Sequence, residues 1–136
     1  MISVFADSSY YVALLRESDL AHVRAMELFP QLLQQNVQVF TTAWVLTEVA
    51  NLFSAPVLRP KFLSLLDDVE TNTNVVIIPP EPEIFLLGIE LYRSRADKAW
   101  SLTDCISFVV MNREGITEAL TADHHFEQAG FKALIR

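Results

Sequence analysis

Cysteine is nearly absent from this chain. Cys105 is the only one, so no disulfide can form within the chain and a small oxidised scaffold is excluded. A lone thiol suits a reducing compartment, and the expected location is the cytoplasm. Glycine and proline are scarce too, with three and six residues, which argues against low-complexity and disordered architectures. No uncharged apolar run approaches the roughly 18 residues of a membrane-crossing helix. The first residues carry no basic stretch, and Asp7 stands where the apolar run of an export signal would lie. No membrane partner is expected. Positive charge is also in deficit: 10 Lys and Arg face 17 Asp and Glu, for a net charge of −7. This argues against a protein that grips nucleic acid mainly by neutralising phosphates. It leaves room for an enzyme that gathers its acids in one cleft, recruits divalent cations and keeps a local basic rim.

What the sequence has in quantity is apolar surface. Hydrophobic residues make up 51% of the 136, and the mean hydropathy is +0.29. One compact domain over residues 1–136, with a large core and a buried subunit interface, would absorb that excess. No internal repeat is present.

Periodicity and punctuation divide the chain into alternating strands and helices. Residues 2–6 read as a short buried strand, followed by Asp7-Ser8-Ser9 and a helix over 10–15. A longer helical pattern covers 19–35, with Pro30 expected to kink or split it. A strand at 37–41 leads directly into a helix at 42–53, which Pro56 ends. Pro60 can open another helix through 70. Residues 74–78 form a β-branched strand closed by Pro79-Pro80. Helices follow at 81–95 and at 102–114, the latter stopped by Gly115. Short strands at 118–122 and 132–135 flank a brief helix at 124–129, which stops at Gly130. This alternation predicts an α/β layered fold with a largely parallel sheet, whose sites form beyond the carboxyl ends of the strands. Asp7 and Asp123 both occupy such positions.

Charge placement is the most informative feature. Asp7 is the only charged side chain before Arg16, Glu48 the only one between Glu27 and Arg59, and Asp104 the only one between Lys98 and Arg113. Carboxylates are seldom buried unless they are paired or bind a cation. Isolated acids in uncharged segments therefore suggest a shared partner, and a hard divalent ion is the economical one. Each acid also has a structural explanation. Asp7 can start the following helix. Glu48 shares a polar stripe with Thr47 and Asn51. Asp104 completes a capping box with Ser101, and Asp123 is a plausible N-cap.

Together the four acids carry a resemblance. The segments Phe5-Ala6-Asp7-Ser8-Ser9, Leu46-Thr47-Glu48-Val49, Trp100-Ser101-Leu102-Thr103-Asp104-Cys105 and Leu120-Thr121-Ala122-Asp123-His124-His125-Phe126 resemble the ordered motifs of PIN domains, over essentially the whole chain. The resemblance implies a three-layer Rossmann-like sandwich with a central, mostly parallel sheet of about five strands. It implies that Asp7, Glu48, Asp104 and Asp123 form a catalytic metal site for one or two Mg²⁺ or Mn²⁺ ions. Ser8, Thr103 and Thr121 match small hydroxyl positions that support such a site. A small single-domain form resembles the VapC-type toxin ribonucleases of VapBC toxin–antitoxin pairs. The implied partners are an RNA substrate, an antitoxin protein and a second copy of the chain.

Two readings compete within that family: a non-catalytic RNA-binding or scaffolding module, and a housekeeping nuclease with no antitoxin. A phosphorelay receiver is disfavoured, because an acidic pair should follow the first strand and a lysine a later one. Remaining features have simpler expectations. His124-His125 should cap a helix or lie at the surface, since adjacent helical residues diverge. Asp97 should form a surface pair or lie in a loop. Tyr10, Tyr11, Trp44 and Trp100 belong to apolar settings, although they could stack on bases. Arg93, Arg95 and Lys98 form a small basic cluster that reads as a solvated helix end, with phosphate contact as the alternative.

Overall fold

Val4, Phe5 and Ala6 are consecutive and all buried. Neighbours in a strand point to opposite faces, so both faces of this segment are covered, the condition under which parallel sheets occur. The computed structural model describes residues 2–136 and puts this strand, β1 (Ser3–Ala6), at the centre of a five-stranded parallel sheet. The other strands are β2 (Gln38–Thr42), β3 (Val75–Ile78), β4 (Glu118–Leu120) and β5 (Lys132–Ala133), in the spatial order β3-β2-β1-β4-β5. Register sets Phe5 opposite Phe40 on one side and Ala119 on the other. The α/β sandwich expected from the alternation is present.

Seven helices connect and cover the strands: α1 (Ser8–Leu15), α2 (His22–Gln34), α3 (Ala43–Leu52), α4 (Arg59–Thr71), α5 (Pro82–Ser94), α6 (Leu102–Glu114) and α7 (His124–Gln128). Several details differ from expectation, among them α1, which starts at Ser8 rather than at 10, and β4, which ends at Leu120 rather than at 122. Helix α2 begins at His22, because Asp19 Oδ1 accepts the Ala21 N–H at 2.8 Å and holds the preceding residues in a turn. Pro30 lies inside α2 without splitting it. β5 has only two residues, since it sits at the sheet edge and pairs through Glu118↔Lys132 and Ala119↔Ala133 alone. Gly115 ends α6 at φ 69°, the left-handed cap that glycine adopts without cost.

Helix α6 is the most deeply set, with Cys105, Ile106, Ser107, Phe108, Val110 and Met111 all buried. Against it lies α5, and Gly88 is where the two come closest: a Cβ there would collide with Ile106 Cγ1. Gly88→Ala is therefore expected to destabilise the protein by about 1–3 kcal/mol, read as a lower urea midpoint with unchanged slope. An unchanged midpoint would mean that α5 can move away from α6 freely.

Candidate metal centre

The chain lays down β1, β2 and β3 outward on one side of the sheet, then crosses to β4 and β5 on the other. At such a switch point, the loops leaving the central strands diverge and open a crevice beyond their carboxyl ends. Asp7 follows β1 directly, and its N–H donates to Leu120 O of β4 at 3.1 Å. It is thus tied to the seam.

Asp7 is 2% exposed. It occupies the N-cap position of α1, yet its side chain makes no capping bond, so helix initiation does not account for it. Its Oδ2 instead accepts from Thr121 Oγ1 at 2.9 Å and from Ser9 Oγ at 3.1 Å. The Ser9 oxygen in turn accepts the Ala122 N–H at 3.0 Å. Ser8 Oγ lies 3.5 Å from Asp7 Oδ1 and donates to Glu48 Oε1, bridging the two acids. Glu48, on α3, is half-buried, whereas its companions Thr47 and Asn51 are exposed. It therefore stands at the inner edge of the polar stripe.

Asp104 does what its spacing from Ser101 demands and more. Its Oδ2 accepts the Ser101 N–H and its own N–H donates to Ser101 Oγ, both at 3.0 Å, completing the capping box of α6. The same Oδ2 lies 3.1 Å from His125 Nδ1. Asp123 caps α7 by accepting the His125 N–H at 2.9 Å, and the His125 ring nitrogen is 3.3 Å from Asp123 Oδ1. Thr121 closes the circuit, since its oxygen accepts the Asp123 N–H at 3.0 Å while its hydrogen goes to Asp7. The site consists of two linked pairs, Asp7–Glu48 through Ser8 and Asp104–Asp123 through His125, joined by Thr121.

Electrostatics follow from that crowding. Burial, and then the neighbouring Asp104 charge, raise the Asp7 pKa to about 6; bonds from Thr121, the Ser8 backbone and Ser9 offset part of this. Asp104 is also raised, chiefly by burial, with the Ser101 backbone opposing, Asp123 adding and His125 opposing. Among the described residues, no Lys or Arg lies within ion-pair distance of any of the four acids; histidine is their only basic neighbour. Hard oxygen donors gathered in this position fit a divalent cation. Among the described residues, the group of three whose ligand atoms all lie within 4.8 Å of one another is Asp123, His124 and His125; Asp7, Glu48 and Asp104 stand farther apart.

The sequence expectations for this region need three corrections. His125 is not a surface residue: it is 19% exposed by side chain and sits between two of the acids. Divergence of helical neighbours sends only His124 outward. Thr103 makes no side-chain bond to any of the acids; its carbonyl accepts from Ser107, and Ser101 is the hydroxyl that supports Asp104. Ser9, a second hydroxyl two residues after Asp7, joins the supporting set that the resemblance implies. Elsewhere, Tyr10, Tyr11 and Trp100 are core residues, Cys105 is buried, and Asp97 pairs with Arg95 through two bonds of 3.0 and 3.1 Å.

No match was found among curated protein sequences. Among solved structures, the fold is shared with VapC20 of Mycobacterium tuberculosis, described as a sarcin–ricin loop cleaving toxin. The identity is 24% and the TM-score 0.83, over 94% of this chain and 95% of that one. VapBC2 of Rickettsia felis, solved bound to a DNA fragment from its promoter, gives 16% and 0.67, over 98% and 97%. FitAcB of Neisseria gonorrhoeae gives 16% and 0.63, over 98% and 96%. The residue pattern of the PIN domain matches positions 4–132.

Proposed function

The chain belongs to the PIN-domain family, and on that premise we propose that it is a metal-dependent endoribonuclease, the toxin half of a toxin–antitoxin pair. The observation that carries this reading is the junction of two carboxylate pairs, drawn from four separate segments, without a lysine or arginine to neutralise them. Asp7, Asp104 and Asp123 would hold one or two Mg²⁺ or Mn²⁺ ions, directly or through water. The bound ion supplies an activated water and relieves charge on the phosphoryl oxygens. Glu48 orients or deprotonates the attacking water, and the bond from Ser8 fixes the angle of its carboxylate. Thr121 and Ser9 hold Asp7 by Oδ2. With Nδ1 protonated, His125 donates into the Asp104–Asp123 pair and keeps both acids turned inward.

Attack by an activated water leaves 5′-phosphate and 3′-hydroxyl ends. Purified protein is therefore expected to cut RNA with Mg²⁺ or Mn²⁺ and to stop in EDTA. Asp104→Asn keeps the helix cap but loses a charge, and its rate should fall on the order of 10³-fold, equivalent to about 4 kcal/mol of transition-state stabilisation. Products ending in 2′,3′-cyclic phosphate, or cleavage indifferent to EDTA, would overturn the mechanism.

The toxin assignment draws support from the shared fold with VapC20 and VapBC2 and from exposed apolar side chains. Val23, Met26, Phe29 and Leu33 on α2, and Phe85 and Leu86 on α5, are all exposed, as surfaces awaiting protein partners would be. A second copy of the chain and an antitoxin are the partners we assign, in the cytoplasm where the RNA target lies. Among the described residues, no helix is long and apolar enough to cross a membrane. Growth arrest on expression, relieved by a co-expressed neighbouring gene, separates this role from that of a housekeeping nuclease.

A further inference from the structure

We propose that the cavity between the end of α5 and the start of α6 is the subsite that takes the RNA strand beside the cleaved bond, binding its phosphates through Arg93 and Lys98. This rests on the nuclease reading above. The cavity measures about 700 Å³ and is lined by Tyr92, Arg93, Arg95, Lys98, Trp100 and Cys105, among others. That is room for a nucleotide. In a chain of net charge −7, three of the ten basic residues fall within six positions and face one concavity. Arg93 and Lys98 form no ion pair among the described residues, whereas Arg95 is committed to Asp97. Arg93 therefore remains to meet an anion, together with Lys98, whose neighbouring carboxylate, Asp97, is already bound by Arg95.

The place is as informative as the charge. Trp100 precedes Ser101, whose hydroxyl and N–H hold Asp104, and Cys105 follows Asp104. The cavity thus adjoins the first turn of α6, the turn that carries Asp104. The wall is rigid: Arg95 stacks over the Trp100 ring at 5.0 Å, and Trp100 Nε1 donates to Gln128 of α7 at 3.0 Å. Tyr92 is half-exposed at the rim and offers a face to a base. An acidic enzyme needs such a patch, because its metal site attracts only the phosphate under attack. The flanking phosphates must be held elsewhere, or the strand is repelled. A solvated helix end accounts for Arg93 in the last turn of α5, but not for the concavity that Lys98 and the two aromatics share with it.

The test measures binding of a fluorescein-labelled RNA oligonucleotide by anisotropy in an Asp104→Asn background, and cleavage kinetics in the wild-type background. Arg93→Gln with Lys98→Gln keeps the side-chain stems and removes both charges. Affinity should fall on the order of tenfold at 0.1 M salt, and the salt slope should lose about 1.4, from two contacts at roughly 0.7 each. In kinetics, KM should rise with kcat unchanged, the mark of lost uniform binding. The control, Arg24→Gln with Lys61→Gln, makes the same charge change away from the cavity and should alter neither. Unchanged affinity and slope in the Arg93/Lys98 variant would overturn the subsite, as would a fall in kcat at constant KM. If wild type cuts no RNA yet binding still depends on these two residues, the nuclease reading fails and the subsite stands.

Discussion

Asp7→Asn is expected to melt about 6–9 °C higher than wild type at pH 7.5 in EDTA, while cutting RNA no faster than a blank. The reason is the direction of the Asp7 pKa, which rises from 3.8 to about 6 on folding, first through burial and then through Asp104. Below about pH 4 the carboxyl is protonated in both states and contributes nothing. As pH climbs through the window from 3.8 to 6, the unfolded chain ionises first and the folded one lags. Above the folded value both are ionised, and the folded state carries the whole penalty, roughly 3 kcal/mol. Asparagine keeps a carbonyl for Thr121 and Ser9 and removes the charge. At about 3 °C per kcal/mol for a chain of this size, the melting difference follows. It should shrink to nothing near pH 4. Mg²⁺ should raise the melting temperature of wild type and leave the variant unmoved. A variant less stable than wild type at pH 7.5 would show that the hydrogen bonds to Asp7 outweigh its burial, and would remove the main reason to expect a cation there.

Phe108→Ala should be the costliest core change, lowering stability by about 3–5 kcal/mol. Phe108 is 2% exposed. Its ring meets Trp100 edge-on at 5.0 Å, Phe126 edge-on at 4.9 Å and Phe131 at 5.6 Å. Phe126 in turn stacks on Phe5 of β1 at 6.4 Å. One turn of α6 separates Phe108 from Asp104, Phe126 adjoins His125, and Phe5 lies two residues before Asp7. The aromatic cluster is therefore the floor under three of the four strategic segments. Urea unfolding measures the loss. The variant's affinity for Mn²⁺ should weaken even under conditions where it remains folded, because the acids are no longer held at one spacing. A stability loss below about 1 kcal/mol would mean the rings close over the void.

The amino-acid sequence made much of this legible, for identifiable reasons. Every strand and helix had a local signal: β-branched runs at Val75–Ile78, Pro at the start of α4 and α5, Ser101 and Gly115 bracketing α6. The acids could be picked out because they stood alone in uncharged segments. What escaped was set by packing between distant segments. His125 reaches Asp104 across 21 positions, and no spacing rule connects the start of a five-residue helix to the cap of another. The Ser-x-x-Asp spacing already marked Ser101 as the partner of Asp104, and the capping box of α6 bears it out; the support expected from the Thr103 hydroxyl is absent because that hydroxyl makes no bond to an acid. The role of Arg93 and Lys98 depended on a concavity, and concavity is a property of surfaces rather than of strings.

The seam between β1 and β4 also bears on how the molecule comes into being. Its residues run from Asp7 to His125 along the chain, and Thr121 must be threaded beside Asp7 before the two carboxylate pairs are joined. A nascent chain on the ribosome can build β1, β2 and β3 early, since those strands are neighbours in both sequence and space. It cannot assemble the acids until β4 arrives on the opposite side of β1. The four acids are thus brought together only after the first three strands are laid down, in a single docking event.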